Sequence, residues 1–328
     1  MKKRWDNQAK DYRNAIHYIR GRQQGTIKSF RTPWPKVNYV GIDGFEWNTL
    51  TTIAGPSGCY KSTMVDQIAR EANRRNPTSY FRVLMFQLEM PGRMSKVREF
   101  SAVLGKSYQA VCSAGGTKLR DEDIKKVIDY SANQVKINQN IDVYSDQLTP
   151  SEFKMVVSEY MDVYADVDAT TGEKTYQNTV VTLDHAYLLK CDGPQAKVNM
   201  LYEYAEILIQ LKKLYPIAFI ILNQIQKNLE APERRRNGAM ENYPTRDDIF
   251  GGDAMYQASD IVIALDCPAK RRIDLYGPER FIINGDSRLI AVHFIKVRNG
   301  EPGMTFFRAV PEIMGLIETQ APERQERN

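Results

Sequence analysis

Residues 50–63, LTTIAGPSGCYKST, place a lysine and a serine directly after a glycine-rich turn. The apolar run before the turn is typical of a buried strand, and the residues after it favour a helix. In that context consecutive backbone N–H groups and the helix N-terminus bind phosphate. Lys61 would add a positive charge on the β- and γ-phosphate oxygens, and the Ser62 hydroxyl would ligate Mg²⁺. The predicted nucleotide-binding residues are Gly55, Pro56, Ser57, Gly58, Cys59, Tyr60, Lys61, Ser62 and Thr63.

Tyr60 departs from the usual form of this loop, in which a glycine precedes the lysine. A tyrosine restricts φ and adds bulk beside the nucleotide. Two outcomes are therefore open: the loop tolerates the tyrosine, or nucleotide binding is weakened.

Three further polar side chains stand where apolar runs end. Glu89 follows the run at 82–88, Asp184 ends VVTLD at 180–184, and Gln224 ends IILNQ at 220–224. In a parallel α/β sheet such ends meet beside the phosphate site. Glu89 could polarise an attacking water, and Asp184 could hold Mg²⁺ with Ser62. The side-chain amide of Gln224 could sense the γ-phosphate through hydrogen bonds.

The elements that must position these residues are strands alternating with helices. Strand-like apolar runs occupy residues 50–54, 83–88, 180–183, 217–222, 261–265 and 290–295, and a helix-like stretch occupies 199–213. This alternation predicts an α/β domain with a mostly parallel, twisted sheet flanked by helices on both faces. We place that domain at residues 37–328, with an acidic surface insertion at 160–178 and a frayed tail from about residue 320.

Residues 1–36 form a basic N-terminal arm. They hold ten Lys or Arg and two Asp, so the other 292 residues of this chain of net charge +5 sum to about −3. An apolar stripe at helical spacing predicts an amphipathic helix that needs a surface to bury it; its residues are Trp5, Ala9, Tyr12, Ile16 and Ile19. Two prolines at 33 and 35 then predict an extended linker. The charge could contact nucleic acid or an acidic partner, or form a solvated arm.

The composition excludes several other classes. Cys59, Cys112, Cys191 and Cys267 are widely separated and form no CxxC pair, so neither a zinc site nor a disulfide framework is predicted. A reducing, cytoplasmic location fits these cysteines. No apolar run reaches 18 residues without a charge, and the N-terminus carries no secretory h-region. We therefore expect no membrane partner.

The motifs and their order resemble those of the hexameric replicative DNA helicases of the DnaB type, including their bacteriophage relatives. The resemblance covers roughly residues 37–316. VLMFQLEM at 83–90 is similar to the family strand that ends in S-L-E-M, and NQIQK at 223–227 is similar to S-Q-L-N-R. DIFGGDAMYQASD at 248–260 is similar to D-L-R-E-S-G-A-I-E-Q-D-A-D, and FIKVRNGEPG at 294–303 is similar to the K-Q-R-N-G-P-x-G segment.

The resemblance implies a RecA-like P-loop ATPase core that binds ATP and Mg²⁺ and assembles into a ring, a hexamer in the family. It implies that Glu89 is the catalytic base and that Gln224 and Gln257 are sensors. It also implies that Lys296 and Arg298 reach into the nucleotide site of the neighbouring subunit, with Arg298 as the arginine finger.

Single-stranded DNA is the substrate that the resemblance implies, held in the central channel of the ring. The predicted DNA-binding residues are Lys227, Asn228, Arg234, Arg235, Arg236, Gly251 and Gly252, with Arg246 in the same interval. Few aromatic residues lie among these charges, so we expect contact with the DNA backbone and little sequence preference. The alternative is an exposed, solvated loop without a partner.

Three departures from the family pattern stand out besides Tyr60. Phe250 occupies the position of an arginine in a loop that meets DNA in the family. The N-terminal collar domain of the family is missing, and 36 residues are too few for a primase or zinc-binding module. The chain thus resembles a motor domain with a linker helix that docks on the adjacent subunit. A separate primase or helicase loader is a further candidate partner.

Two rival functions stay open. One is a RecA-like recombinase or circadian-clock-type ATPase, which shares the fold but assembles differently. The other is a helicase paralogue with weak nucleotide binding, because of Tyr60, that caps or loads a helicase. The S-L-E-M-like and K-x-R-N-G segments disfavour the first, and the presence of Glu89, Asp184 and Arg298 disfavours the second.

Overall fold

A nine-stranded sheet forms the centre of the computed structural model, which describes residues 8–90, 92–115, 118–191, 194–235, 241–250 and 252–326. Of residues 194–196, 227 and 228 it describes the backbone alone. The strands are β1 (Thr49–Gly55), β2 (Arg82–Gln87), β3 (Ile141–Tyr144), β4 (Asp166–Val167), β5 (Lys174–Thr175), β6 (Thr179–Asp184), β7 (Ile217–Gln224), β8 (Ile261–Asp266), β9 (Leu275–Tyr276), β10 (Phe281–Ile282), β11 (Leu289–Val297), β12 (Gly303–Val310) and β13 (Gly315–Thr319). The large sheet has the order β13-β12-β11-β8-β1-β7-β6-β2-β3, and β4–β5 and β9–β10 form separate hairpins.

Six adjacent strands of the large sheet, from β8 to β3, run parallel. Strands β11, β12 and β13 extend it with antiparallel pairs. Because β1, β7, β6 and β2 are parallel, their carboxyl ends meet at one edge. In the observed register Gly55 pairs with Gln224, and Gln87 pairs with Asp184. The sheet thus brings the predicted phosphate loop and the predicted strand-end residues together.

Helices cover both faces of this sheet. They are α1 (Gln8–Gln23), α2 (Pro35–Val40), α3 (Lys61–Arg75), α4 (Gly92–Leu104), α5 (Tyr108–Cys112), α6 (Asp121–Ile137), α7 (Pro150–Val163), α8 (Pro194–Leu214) and α9 (Gly252–Ala258). Alternate residues of β7 serve the two faces: Ile220 packs in the cluster that contains Ile68 of α3, and Phe219 packs with Phe153 of α7 and Tyr204 of α8. None of the helices in the described residues has the length and apolar character needed to cross a lipid bilayer.

The predicted α/β fold class is confirmed, and all six predicted strands are present with ends shifted by one or two residues. The helix predicted at 199–213 lies within α8. Sequence reasoning missed β3, β12 and β13, which are partly exposed or lie at the antiparallel edge. The insertion predicted at 160–178 begins inside α7 and continues as the β4–β5 hairpin, whose turn has Gly172 at φ 71°.

The segment predicted as an extended linker before residue 37 packs on the domain instead. Trp34 is 2% exposed, and its indole Nε1 donates a hydrogen bond of 2.8 Å to the carbonyl of Leu316. Phe30 is also buried and forms an antiparallel bridge with Phe45. Burial of these aromatic rings fixes the segment, so the packed core includes residues that precede 37.

The tail predicted to fray from about residue 320 is also ordered, which corrects that expectation. The carbonyl of Glu323 accepts a hydrogen bond from the N–H of Ile282 at 2.8 Å, and the N–H of Gln325 donates to the carbonyl of Arg280 at 3.1 Å. The guanidinium of Arg324 lies 5.0 Å from the centre of the Phe281 ring. Backbone pairing with the strand β10 therefore holds residues 323–325 against the domain.

A buried polar cluster joins β8 to β11 beside the β9–β10 hairpin. The Tyr276 hydroxyl lies 2.7 Å from His293 Nε2 and donates to Asp266 at 2.9 Å. Arg271 Nε donates to Asp266 at 3.0 Å. Burial, together with the nearby Arg271 charge, lowers the pKa of His293 to about 3. His293 is thus a neutral core histidine, as its place in an apolar strand predicts.

His293 makes the protein sensitive to acid. Its folded-state pKa lies below the ordinary value of about 6.5, so the unfolded chain binds a proton first and stability falls as pH drops below about 6.5. From pH 7 to pH 5 this residue alone should remove about 2 kcal/mol of unfolding free energy. Urea unfolding of His293→Gln at both pH values should show a smaller loss than the wild type. The exposed His17 gives the control, since His17→Gln should leave the acid effect unchanged; equal losses in all three proteins would contradict the assignment.

Candidate active site

The phosphate loop connects β1 to α3 at the carboxyl edge of the sheet. Lys61, the first residue of α3, donates from Nζ to the carbonyls of Gly55 at 2.7 Å and Pro56 at 2.8 Å. Burial lowers the pKa of Lys61, while the negative charges of Asp184 and Glu89 nearby act in the opposite direction. The ammonium is therefore folded onto the loop carbonyls, from which a bound phosphate would draw it away.

Tyr60 occupies a left-handed backbone conformation, with φ 62° and ψ 21°. A glycine is usual here because this region is costly for residues with a Cβ. The loop nevertheless forms: the carbonyl of Tyr60 accepts the N–H of Met64 at 2.9 Å, which starts α3, and Gly58 supplies the other left-handed turn at φ 73°. The Tyr60 backbone thus adopts the geometry that a glycine would supply.

The residues predicted to ligate Mg²⁺ are in contact. The Ser62 hydroxyl donates a hydrogen bond to the Asp184 carboxylate. Burial raises the pKa of Asp184, and the Ser62 hydrogen bond and the Lys61 charge oppose that rise. A hydroxyl beside a carboxylate at the mouth of a phosphate loop is the oxygen donor set that Mg²⁺ takes with a nucleotide. The pair therefore fits the ion.

Glu89, His185 and Gln224 form a group beside this pair. Glu89 follows β2, and its charge acts on the pKa of Lys61, Asp184 and His185. Gln224 Nε2 lies 3.3 Å from His185 Nε2. An amide nitrogen only donates, so the imidazole Nε2 accepts and its proton is on Nδ1. Burial lowers the pKa of His185, which favours this neutral form. His185 thus orients the predicted sensor Gln224.

Lys296 and Arg298 lie at the opposite edge of the sheet from the phosphate loop. Strand β11 runs antiparallel to β8, and Val297 pairs with Ile261 at the start of β8. Arg298 Nη1 donates to Asp260 Oδ1 at 2.9 Å, and Lys296 Nζ donates to the carbonyl of Tyr256 at 2.7 Å. The length of β8 separates these cations from the loop by roughly 15–20 Å. They cannot reach the phosphate site of their own chain.

Gln257 lies on that same far edge. Its side chain is exposed on α9, and its carbonyl accepts from Lys296 Nζ at 3.3 Å. As a sensor of the nucleotide in its own subunit, Gln257 is therefore misplaced, because α9 precedes β8 and the loop follows β1. The position is compatible only with a site on a neighbouring chain.

Asp260 anchors Arg298 from within the protein. Its Oδ2 accepts hydrogen bonds from Lys212 Nζ at 2.6 Å and from the Leu50 N–H at 2.8 Å. The carbonyl of Asp260 also accepts the N–H of Arg298 at 2.9 Å. The Arg298 side chain is 53% exposed beyond this contact, so the guanidinium is held at its base and open to a partner.

The structure corrects one predicted DNA contact. The Arg234 guanidinium pairs with both oxygens of the buried Asp248 carboxylate and donates to the carbonyls of Glu241 and Tyr243. These partners use its donors, so Arg234 braces the loop and is not available to a phosphate backbone. Arg246 is also engaged, with Asp253 at 2.8 Å.

The other predicted DNA-binding residues keep that prediction. Arg235 is exposed, the backbone of Lys227 and Asn228 lies in a short 3₁₀ turn (Lys227–Glu230), and Gly252 begins α9. Outside the described residues lie Arg236 and Gly251, as does Trp5 of the predicted N-terminal stripe.

Phe250, which replaces an arginine of the family pattern, closes the same loop. Its ring packs edge-on against Tyr187 at 5.1 Å between centres. Its N–H donates to the carbonyl of Gln224 at 2.9 Å, and its carbonyl accepts from Asn223 Nδ2 at 2.9 Å. The loop therefore leaves and rejoins the sheet at the end of β7, next to the sensor residue.

Sequence reasoning missed two residues at the phosphate loop. Asp66 lies one turn after Ser62 on α3, where burial raises its pKa to about 6, and the i, i+4 spacing could have revealed it. Lys270 comes from the turn after β8, and its Nζ donates to the carbonyl of Gly58 at 2.6 Å. No local signal marks Lys270, because it lies more than two hundred residues from Gly58 in the chain.

Comparison with known proteins agrees with this geometry. The chain matches the model of the DnaB-like helicase C-terminal domain over residues 36–314. Among solved structures, it is similar to the ATPase domain of a phage helicase, with a TM-score of 0.73, 14% identity, and coverage of 96% of this chain and 100% of that one. It is also similar to a DnaB-like replicative helicase described with its interactions with primase, with a TM-score of 0.67, 14% identity, and coverage of 89% of this chain and 63% of that one. A comparison with curated protein sequences finds no significant match.

Asp184 should carry the effect of Mg²⁺ on nucleotide binding. Wild-type affinity for ADP, measured by calorimetry, should rise when Mg²⁺ replaces EDTA. Asp184→Asn should lose about tenfold or more of that gain, because a neutral amide neither attracts the cation nor orients Ser62 as a carboxylate does. Asp66→Asn is the matched control and should keep the gain. The same Mg²⁺ effect in Asp184→Asn and wild type would rule out this ligand.

Proposed function

Because this chain belongs to the family of DnaB-like helicase C-terminal domains, and is thus an ATP-hydrolysing helicase of the DnaB type, we propose that it works as a ring, with six subunits as the expected number. In this proposal ATP binds between subunits, and hydrolysis moves the ring along single-stranded DNA. The observation that carries the proposal is the position of Arg298, at the sheet edge opposite the phosphate loop.

That position makes each subunit incomplete alone. A loop with Lys61, Ser62 and Asp184 lies at one edge, and Lys296 and Arg298 lie at the other. A cation supplied from a neighbour joins the loop edge of one subunit to the finger edge of the next. Such a contact uses two different surfaces, so it repeats head to tail and closes into a ring when the rotation fits.

The N-terminal helix α1 supports the same assembly. Its apolar residues are open to solvent in the single chain: Tyr12 is 63% exposed, Ile16 50% and Ile19 59%. Near its end the helix is fixed to its own domain, since Arg22 donates to Ser29 Oγ and to the carbonyl of Ile42, each at 2.8 Å. A stripe held outward in this way would be buried on the adjacent subunit.

The residues of the composite site divide the chemistry. Lys61 would bind the β- and γ-phosphate oxygens, and Ser62 and Asp184 would hold Mg²⁺, which supplies charge neutralisation there. Glu89 would orient the attacking water and accept its proton. Arg298 of the adjacent subunit would stabilise the charge that builds on the transferred phosphoryl group, with Lys296 beside it.

The loop between β7 and β8 would couple this chemistry to DNA. It begins directly after Gln224, which His185 orients, and its exposed Arg235 is open to a phosphate backbone. Lys227, Asn228, Arg236, Gly251 and Gly252 complete the proposed contact. We expect a primase or a helicase loader as a further partner, and a bacterial cytoplasm as the place of action.

The first test is ATP turnover with and without single-stranded DNA, measured together with the mass of the assembly in Mg²⁺ and nucleotide. A ring-sized assembly whose turnover rises several-fold with DNA is the expected result, because the DNA-holding loop adjoins the sensor. A monomer or dimer without turnover would contradict the proposal and favour a helicase accessory protein.

The role of Arg298 in the neighbouring site predicts complementation. Arg298→Ala should lower ATP turnover by about 10³-fold or more, and Lys61→Ala should also be inactive. Subunits of the two variants, mixed before assembly, should regain activity, because about a quarter of the interfaces in a random ring pair an intact loop with an intact finger. An unchanged rate in assembled Arg298→Ala, or no recovery on mixing, would refute the finger assignment.

A further inference from the structure

Lys270 adds a second lysine to the phosphate loop. Its Nζ donates to the carbonyl of Gly58 at 2.6 Å and lies 4.8 Å from the centre of the Tyr60 ring. We propose that Lys270 is a positioning residue that holds the phosphate loop in its nucleotide-binding shape, and that the loop depends on it because Tyr60 replaces the usual glycine. The inference rests on the proposed function only in taking this loop as the nucleotide site.

The loop needs outside support because of Tyr60. A residue with a side chain is disfavoured at φ 62° relative to extended or helical backbone. If Tyr60 relaxed, α3 would begin differently and carry Lys61 and Ser62 with it, since the Tyr60 carbonyl accepts the first helical hydrogen bond, from Met64. An ammonium over the aromatic face favours the observed side-chain position, and hence the observed backbone.

Lys270 also strengthens the turn on the other side of Tyr60. The peptide group between Gly58 and Cys59 gives its carbonyl to Lys270, and its N–H donates to the carbonyl of Pro56 at 3.3 Å. A cation on the carbonyl makes the N–H of the same peptide a better donor. The contact therefore closes the turn from Pro56 to Cys59.

A bound nucleotide would increase this dependence. Lys61 Nζ now lies on the carbonyls of Gly55 and Pro56, and a phosphate would draw it away. Lys270 would then be the ammonium left on the carbonyl side of the loop. Its own position is secure, because the Lys270 N–H donates to the Cys267 carbonyl at 3.0 Å and the next residue, Arg271, is anchored on the buried Asp266.

A double-mutant cycle on nucleotide affinity tests the proposal. Calorimetry with the full chain and Mg·ADP gives Kd for the wild type, Lys270→Met, Tyr60→Gly and the double variant. Lys270→Met should raise Kd about tenfold in the wild-type background and less than about twofold in Tyr60→Gly, since glycine adopts the left-handed turn unaided. Lys270→Arg should restore most of the affinity. Arg272→Met, at an exposed cation two residues away, should bind like the wild type.

The outcomes separate this inference from the proposed function. An equal loss in both backgrounds would mean that Lys270 contacts the nucleotide directly, and no loss in either would mean that it is a solvated side chain; each overturns the proposal. Absence of Mg·ADP binding by the wild type would instead refute the nucleotide site itself. Thermal unfolding of every variant keeps a folding defect from being read as a binding defect.

Discussion

The parallel pairing of β1 with β7 and β8 is the constraint on which the rest of the structure depends. It puts Gly55 opposite Gln224 at one edge of the sheet and leaves Leu50 and Asp260 together at the other. Every polar group with a role in phosphate chemistry enters at the first edge because a parallel strand can end there in a loop without breaking the ladder. The cations that belong to a second site enter at the other edge, where β11 arrives antiparallel to β8.

Much of this could be predicted from the sequence because the relevant signals are local. The run 50–63 contains its own strand, turn and helix start, and the residues at strand ends follow apolar runs that both faces of a parallel sheet require. The far-edge cations were assigned by resemblance, and the geometry gives that assignment a physical reason. Tyr60 shows the limit of the local argument: the residue type raised the question of loop geometry, and only the backbone angles answered it.

What the sequence could not supply are pairings between distant residues. Three adjacent arginines look equivalent in the chain, but Arg234 meets the buried Asp248 while Arg235 stays exposed. The tail has a polar, charged composition typical of a frayed end, yet residue 323 finds a backbone partner on β10. Trp34 follows the same rule, since its indole partner lies at Leu316 near the other end of the chain. Composition reports how a segment interacts with water and is silent about which surface it meets.

Asp260 gives the ring a mechanical property. Through it, Arg298 is hydrogen-bonded to Leu50, the second residue of a strand that ends at the phosphate loop. That strand lies between β7 and β8 within the sheet, spans roughly 16 Å, and does not stretch. The group that a subunit lends to its neighbour and the loop that it keeps for itself are therefore the two ends of one rigid spacer. If Arg298 acts in the adjoining site as proposed, the distance between successive sites is constant within each subunit, and the motion that drives translocation occurs at the joints between subunits.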